Sequence, residues 1–115
     1  MTMSRCKILQ AECSGVYVLK LEGEVRLNLC STIDAAIESM TMDPNFATIV
    51  VDLSETTLID STTLGLLAKL AILAKQKSHF LPSIVSTNPD ITRIITTMGF
   101  DSVYLIMNEP ATSPQ

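Results

Sequence analysis

Val51-Asp52-Leu53-Ser54-Glu55-Thr56-Thr57-Leu58-Ile59-Asp60-Ser61-Thr62-Thr63-Leu64-Gly65-Leu66-Leu67 is the stretch on which the reading of this chain turns. It begins in a near-continuous apolar run, Phe46 to Leu53, of the kind that a strand buried on both faces requires. A loop from Ser54 to Asp60 follows and brings Leu58 and Ile59 back towards the core. The polar run Asp60-Ser61-Thr62-Thr63 then opens an apolar helix that extends from about Ser61 to Ser78. A strand, a short connection and a helix in this order are one unit of an α/β fold.

Upstream, Cys6 to Cys13 and Val16 to Glu22 read as two strands joined at Ser14-Gly15, a hairpin that ends at Gly23. Cys30, Ile33, Ala36, Ile37 and Met40 recur at helical spacing, so Leu29 to Met40 is an amphipathic helix. Asn28 is its expected N-cap, Asp34 and Glu38 lie on its polar side, and Asp43-Pro44-Asn45 is a turn. Downstream, Ser83 to Ser86 is a short strand after Pro82. Asn88-Pro89-Asp90 starts a helix that carries Ile91, Ile94, Ile95 and Met98 on one face and stops at Gly99. Val103 to Met107 is the last strand. The order β-β-α-β-α-β-α-β predicts an α/β fold with a mixed central sheet and helices packed against it. Residues 1–107 are expected to form one domain and 108–115, with two of the chain's prolines, a flexible tail.

The 115 residues suit one domain, and 47% apolar with 17% charged residues excludes a disordered chain. A net charge of −4 without a Lys/Arg cluster argues against nucleic-acid binding. The most apolar stretch, Leu64 to Ala74, falls far short of the roughly 20 residues a membrane span needs. Met1 to Leu9 has no apolar segment of the secretory kind, so a soluble, cytoplasmic protein is expected. Cys6, Cys13 and Cys30 lack CxxC spacing and His79 has no spaced partner. Free, partly buried thiols and no metal or cofactor are therefore expected. No nucleophile–base pair or phosphate-cradling Gly-rich loop points to an enzyme.

The run at 60–63 has two readings. Asp, Ser and Thr are the preferred helix caps, so the run can be a cap and nothing more. It can also present a hydroxyl for phosphorylation, because a helix N-terminus tolerates phosphate. The two are compatible: Asp60 caps and the next hydroxyl is modified. In the helix, Leu64, Leu67, Ala71, Ile72 and Ala74 form one apolar stripe and Leu66, Leu70 and Leu73 another. Gly65 lies one turn after Ser61 and Lys69 one turn further. A flat strip of Ser61, Thr62, Gly65 and Lys69 would let a partner approach closely. Alternatively, Gly65 relieves crowding inside the protein.

Asp52-Leu53-Ser54, Ile59-Asp60-Ser61-Thr62 and Leu64-Gly65-Leu66-Leu67 together resemble the signature of STAS domains, a D-S-[ST]-G-L-G run between a strand and the second helix. Leu21-Glu22-Gly23-Glu24-Val25 resembles the end of that family's second strand. Ile91 to Phe100 with Val103-Tyr104 resembles its third helix and last strand. The resemblance implies a STAS fold and the role of an anti-sigma-factor antagonist. Such a protein, when unphosphorylated, binds an anti-sigma factor that is also a serine kinase, and so frees a sigma factor. A PP2C-type phosphatase reverses the kinase. The phosphorylated residue falls on Ser61, with Thr62 the neighbouring hydroxyl. Asp60, Ser61, Thr62, Gly65, Lys69 and Arg26 are the expected partner surface. Two positions depart from the family pattern: Thr63 stands where it has Gly, and Arg26 where an acidic residue is common. Other STAS proteins are constitutive subunits of lipid-transport ABC complexes or sit on anion transporters, which is the alternative role.

Overall fold

The computed structural model describes residues 7–26, 30–78 and 80–108. Cys6, Asn28, Leu29, His79, the side chain of Cys30 and the tail from 109 onward, all given roles above, lie outside the described residues. The chain runs β1 (Lys7–Cys13), β2 (Val16–Val25), α1 (Cys30–Thr41), β3 (Thr48–Asp52), β4 (Thr56–Ile59), α2 (Ser61–Lys77), β5 (Ser83–Val85), α3 (Pro89–Thr97) and β6 (Leu105–Met107). The sheet has the order β1-β2-β3-β5-β6, and β4 pairs with β2 off that path. Only β1–β2 is antiparallel; the other pairs are parallel. The expected α/β fold with a mixed sheet is the observed one.

The hairpin closes through Ser14 and Gly15, both at positive φ (51° and 84°), the conformation that a two-residue hairpin turn needs. Gly15 also receives the next connection, because its carbonyl accepts from the Ala47 N–H at 2.8 Å. The second strand does not stop at Gly23. Gly23, at φ +89°, lets β2 leave β3 and pair with β4, with a bulge between Gly23 and Glu24. β2 therefore runs on to Val25, and the segment expected to be a loop contains a strand.

Each crossover, β2-α1-β3, β3-α2-β5 and β5-α3-β6, steps the same way across the sheet. Crossovers of this kind are right-handed, so all three helices fall on one face. The core agrees: Leu19, Leu21, Ile49, Val51 and Ile84 from the sheet share one cluster with Ile33, Ile37, Leu67, Leu70, Ile91 and Ile95 from the helices. β3 is thus buried on one face, not on both, and Thr48, Val50 and Asp52 are only half-buried. Cys13, expected partly buried, is exposed because it ends the edge strand β1.

Four other expectations need correction. Leu58 is 36% exposed, because β4 turns only Thr56 and Ile59 inward. Ile72 is exposed, since α2 buries the line through Leu64, Leu67, Leu70, Ala71 and Ala74. On α3 only Ile91 and Ile95 are buried; Ile94 and Met98 lie outside that single i, i+4 line. The last strand starts at Leu105, because Phe100–Ser102 form a 3₁₀ turn that tucks Phe100 and Tyr104 into the core. There the Tyr104 hydroxyl donates to the Leu67 carbonyl at 2.6 Å, and burial pushes its pKa well above the usual phenol value.

Candidate functional site at the start of the second long helix

β4 sets up the site. Its Thr56 side chain is buried and donates to the Leu21 carbonyl, which fixes β4 to β2. The register Val25↔Ile59 then puts Arg26 beside Asp60, and the Asp60 N–H donates to the Val25 carbonyl at 3.2 Å. Asp60 is extended (φ −97°, ψ 171°), and its Oδ1 accepts from the Thr63 N–H at 2.9 Å, a helix N-cap. The capping reading is therefore right for Asp60. It leaves the next two hydroxyls, Ser61 and Thr62, exposed on the first turn of α2. Thr63 points the other way and is fully buried, so a side chain larger than Gly is taken up by the core and does not crowd the outer surface.

Gly65 is exposed, and a Cβ built on it would meet nothing within 4 Å. Crowding inside the protein therefore does not account for it. Lys69 is less open than expected. Its Nζ lies 2.7 Å from Asp34 Oδ1 and 3.2 Å from Glu38 Oε2, so it joins α2 to α1. Hydrogen bonds to Asp34 and then Glu38 hold its ammonium pKa above the ordinary lysine value. Arg26 is exposed and pairs with Glu24 at 3.0 Å. The structure thus brings Asp60, Ser61, Thr62, Gly65 and Arg26 to one end of the molecule, with Lys69 two turns along α2 and already paired.

Glu24, Asp34 and Glu38 were not singled out as site residues. Asp34 and Glu38 stand four apart on the polar side of α1, and Lys69 is the one cation within the apolar stretch Leu64 to Ala74 of α2. Those were the available signals, but nothing local says that they meet. Among the described residues no group of three or more His, Cys, Asp or Glu could hold a metal ion. No described helix is long and apolar enough to cross a membrane.

A central mixed sheet with helices on one face, and an exposed hydroxyl pair at the cap of the second helix, define a small α/β domain. A sequence model of the family described as "Mlab, STAS domain" matches residues 9–107, and the chain belongs to the STAS domain family. No curated protein matches it by sequence. Among solved structures, an anti-sigma factor antagonist from Mycobacterium paratuberculosis is similar over 91% of this chain and 87% of that one, at 24% identity and TM-score 0.76. The anti-sigma factor antagonist SpoIIAA in its unphosphorylated form is similar over 87% of each chain, at 14% identity and TM-score 0.75. The Bacillus cell fate determinant SpoIIAA in the phosphorylated form is similar over 87% of this chain and 90% of that one, at 14% identity and TM-score 0.70. At such identities the likeness carries the fold.

Proposed function

We propose that this chain is a cytoplasmic, non-enzymatic interaction module of the anti-sigma-factor-antagonist type, switched by phosphorylation at Ser61. Unphosphorylated, it binds an anti-sigma factor with serine kinase activity and frees a sigma factor; phosphorylated, it is released until a PP2C-type phosphatase restores it. The observation that carries the proposal is the exposed Ser61 hydroxyl one turn before the open Gly65 surface. The kinase can reach the first, and a partner backbone can lie on the second. Solved antagonists of the same fold, one of them in both unphosphorylated and phosphorylated forms, support the reading.

The energetics suffice. A phosphate adds about −1.5 to −2 charges. Facing an acidic group across a desolvated interface, it costs several kcal/mol. About 3 kcal/mol already lowers affinity on the order of a hundredfold. Capture on immobilised Ser61→Ala and Ser61→Asp proteins, with mass spectrometry of what is retained, tests this. A kinase-fold anti-sigma factor held by the first and lost from the second is the expected result. Phosphate mapped to Thr62 would move the switch by one residue. A second reading, a constitutive subunit of an ABC lipid-transport complex, is kept because the matching family description differs from those of the solved antagonists. In that case a permease and an ATPase are retained equally by both proteins.

A further inference from the structure

A second surface lies at the opposite end of α2. Its 17 residues place the last turn about 25 Å from Ser61. There a cleft of about 340 Å³ is lined by α2, by the connection to β5 and by the turn before β6. Its walls are apolar side chains that the fold leaves in water: Ile72 is 60% exposed, Phe80 65%, Leu81 50% and Val103 39%. Four large apolar groups converging on one concavity form the kind of patch that marks a binding site, whereas scattered ones do not. The volume falls within the range of small-molecule sites, roughly 300–1,000 Å³. Pro82 anchors the connection, since its carbonyl accepts from the Leu105 N–H at 2.8 Å.

Charge says what the cleft would take. Lys20, Arg26, Lys69 and Arg93 are each within an ion pair, and Lys7 is engaged as well. Lys75 and Lys77 are the cations without an ion-pair partner among the described residues. Lys75 lines the cleft and Lys77 stands on the same last turn. In a chain of net charge −4, the positive charge left without an ion pair among the described residues sits beside the apolar cleft. The Ser78 Oγ, also in the lining, accepts from the Phe80 N–H and keeps its own hydrogen to donate.

We propose that this cleft binds a single-chain carboxylate amphiphile, with its tail between Ile72, Phe80, Leu81 and Val103 and its carboxylate on Lys75. The tail removes apolar surface from water, and the head supplies the counter-charge that Lys75 lacks. The site is independent of Ser61 and stands whether or not that residue is a switch.

Sodium decanoate, kept below the concentration at which it self-assembles, is titrated into the full ¹⁵N-labelled chain and followed by amide chemical shifts. Saturating shifts centred on Ile72, Lys75, Leu81 and Val103 are expected. Lys75→Glu should weaken binding about tenfold, and 1-decanol should bind about fivefold more weakly than decanoate. Ile72→Glu, at a position that packs little, should abolish binding with the rest of the spectrum unchanged. Shifts that never saturate, that centre on another face, or that are equal for acid and alcohol overturn the proposal. So does association with anionic phospholipid vesicles without saturable binding of free decanoate, which would make the patch a membrane contact.

Discussion

Gly65 and Gly15 show how differently one residue type can be constrained. Nothing lies near a Cβ at Gly65, and its position inside a helix costs about 1 kcal/mol relative to Ala. Gly65→Ala should therefore stabilise the domain by about that amount in urea unfolding. Gly65→Asp should leave the fold intact and weaken capture of the partner, which separates the docking role from any role in packing. Unchanged capture would show that this part of α2 is not the docking face. At Gly15 a Cβ would stand 2.2 Å from the Asn45 carbonyl oxygen, at φ +84°. Gly15→Ala should cost at least about 2 kcal/mol by the same measurement, because turn and contact are both violated. The sequence singled out both glycines, but only Gly15 had a local cause, the turn. Whether Gly65 faced the core or a partner depended on the rotation of α2, which is set by distant strands. Asp60, Ser61 and Thr62 were legible because a cap is decided within four residues. The pairing of Lys69 was not, since its partners lie 31 and 35 positions away.

The helices were easier to read than the strands that aim them. α1 shows its buried side through Ile33, Ala36, Ile37 and Met40, at a period that no strand can share. β4 has only four residues, and its inward pair Thr56 and Ile59 is too short a pattern to distinguish from a loop. Its existence depends on the bulge at Gly23, a long-range event. Yet β4 brings Arg26 beside Asp60, so the geometry of the site rests on the least legible element. The α1–α2 junction invites a test at the same scale. The three-charge cluster of Lys69, Asp34 and Glu38 is part-exposed, so salt screens it. Lys69→Met should lower the melting temperature slightly in dilute buffer, and the gap should close in about 1 M salt. The raised pKa of Lys69 sets the direction with pH: the contribution is whole below the ordinary lysine value of 10.5 and fades as pH rises through the folded value. A gap insensitive to salt would mean that the lysine stem, packed between the helices, does the joining.

Across the whole molecule, the two ends of the sheet are stabilised by different devices. At the Ser61 end Thr56 and the Asp60 N–H make neutral bonds to the backbone of β2, and the Asp60 carboxylate caps α2. At the other end Tyr17 stacks on Phe46, with ring centroids 5.9 Å apart, and its hydroxyl donates to the Asp43 carboxylate in the turn after α1. That bond pushes the Tyr17 phenol up to about 12 and holds the Asp43 carboxyl below its usual range. The signs are opposite and both favour the folded state near neutrality. Tyr17 keeps its proton in the folded chain when the unfolded chain has lost it, so its contribution is whole below 10.0 and lost as pH rises towards about 12. Asp43 stays ionised in the folded chain when the unfolded chain has become protonated, so its contribution is whole above 3.8 and lost as pH falls through the lowered value. Tyr17→Phe keeps the ring and its stacking but removes the bond. The stability gap between wild type and Tyr17→Phe, from urea unfolding, should therefore be constant from about pH 5 to 9 and narrow on both sides. Partner capture at the Ser61 end should be unchanged in the variant, since it leaves β4 and the cap of α2 untouched. A gap that keeps its size into acid would show that Asp43 does not carry the bond.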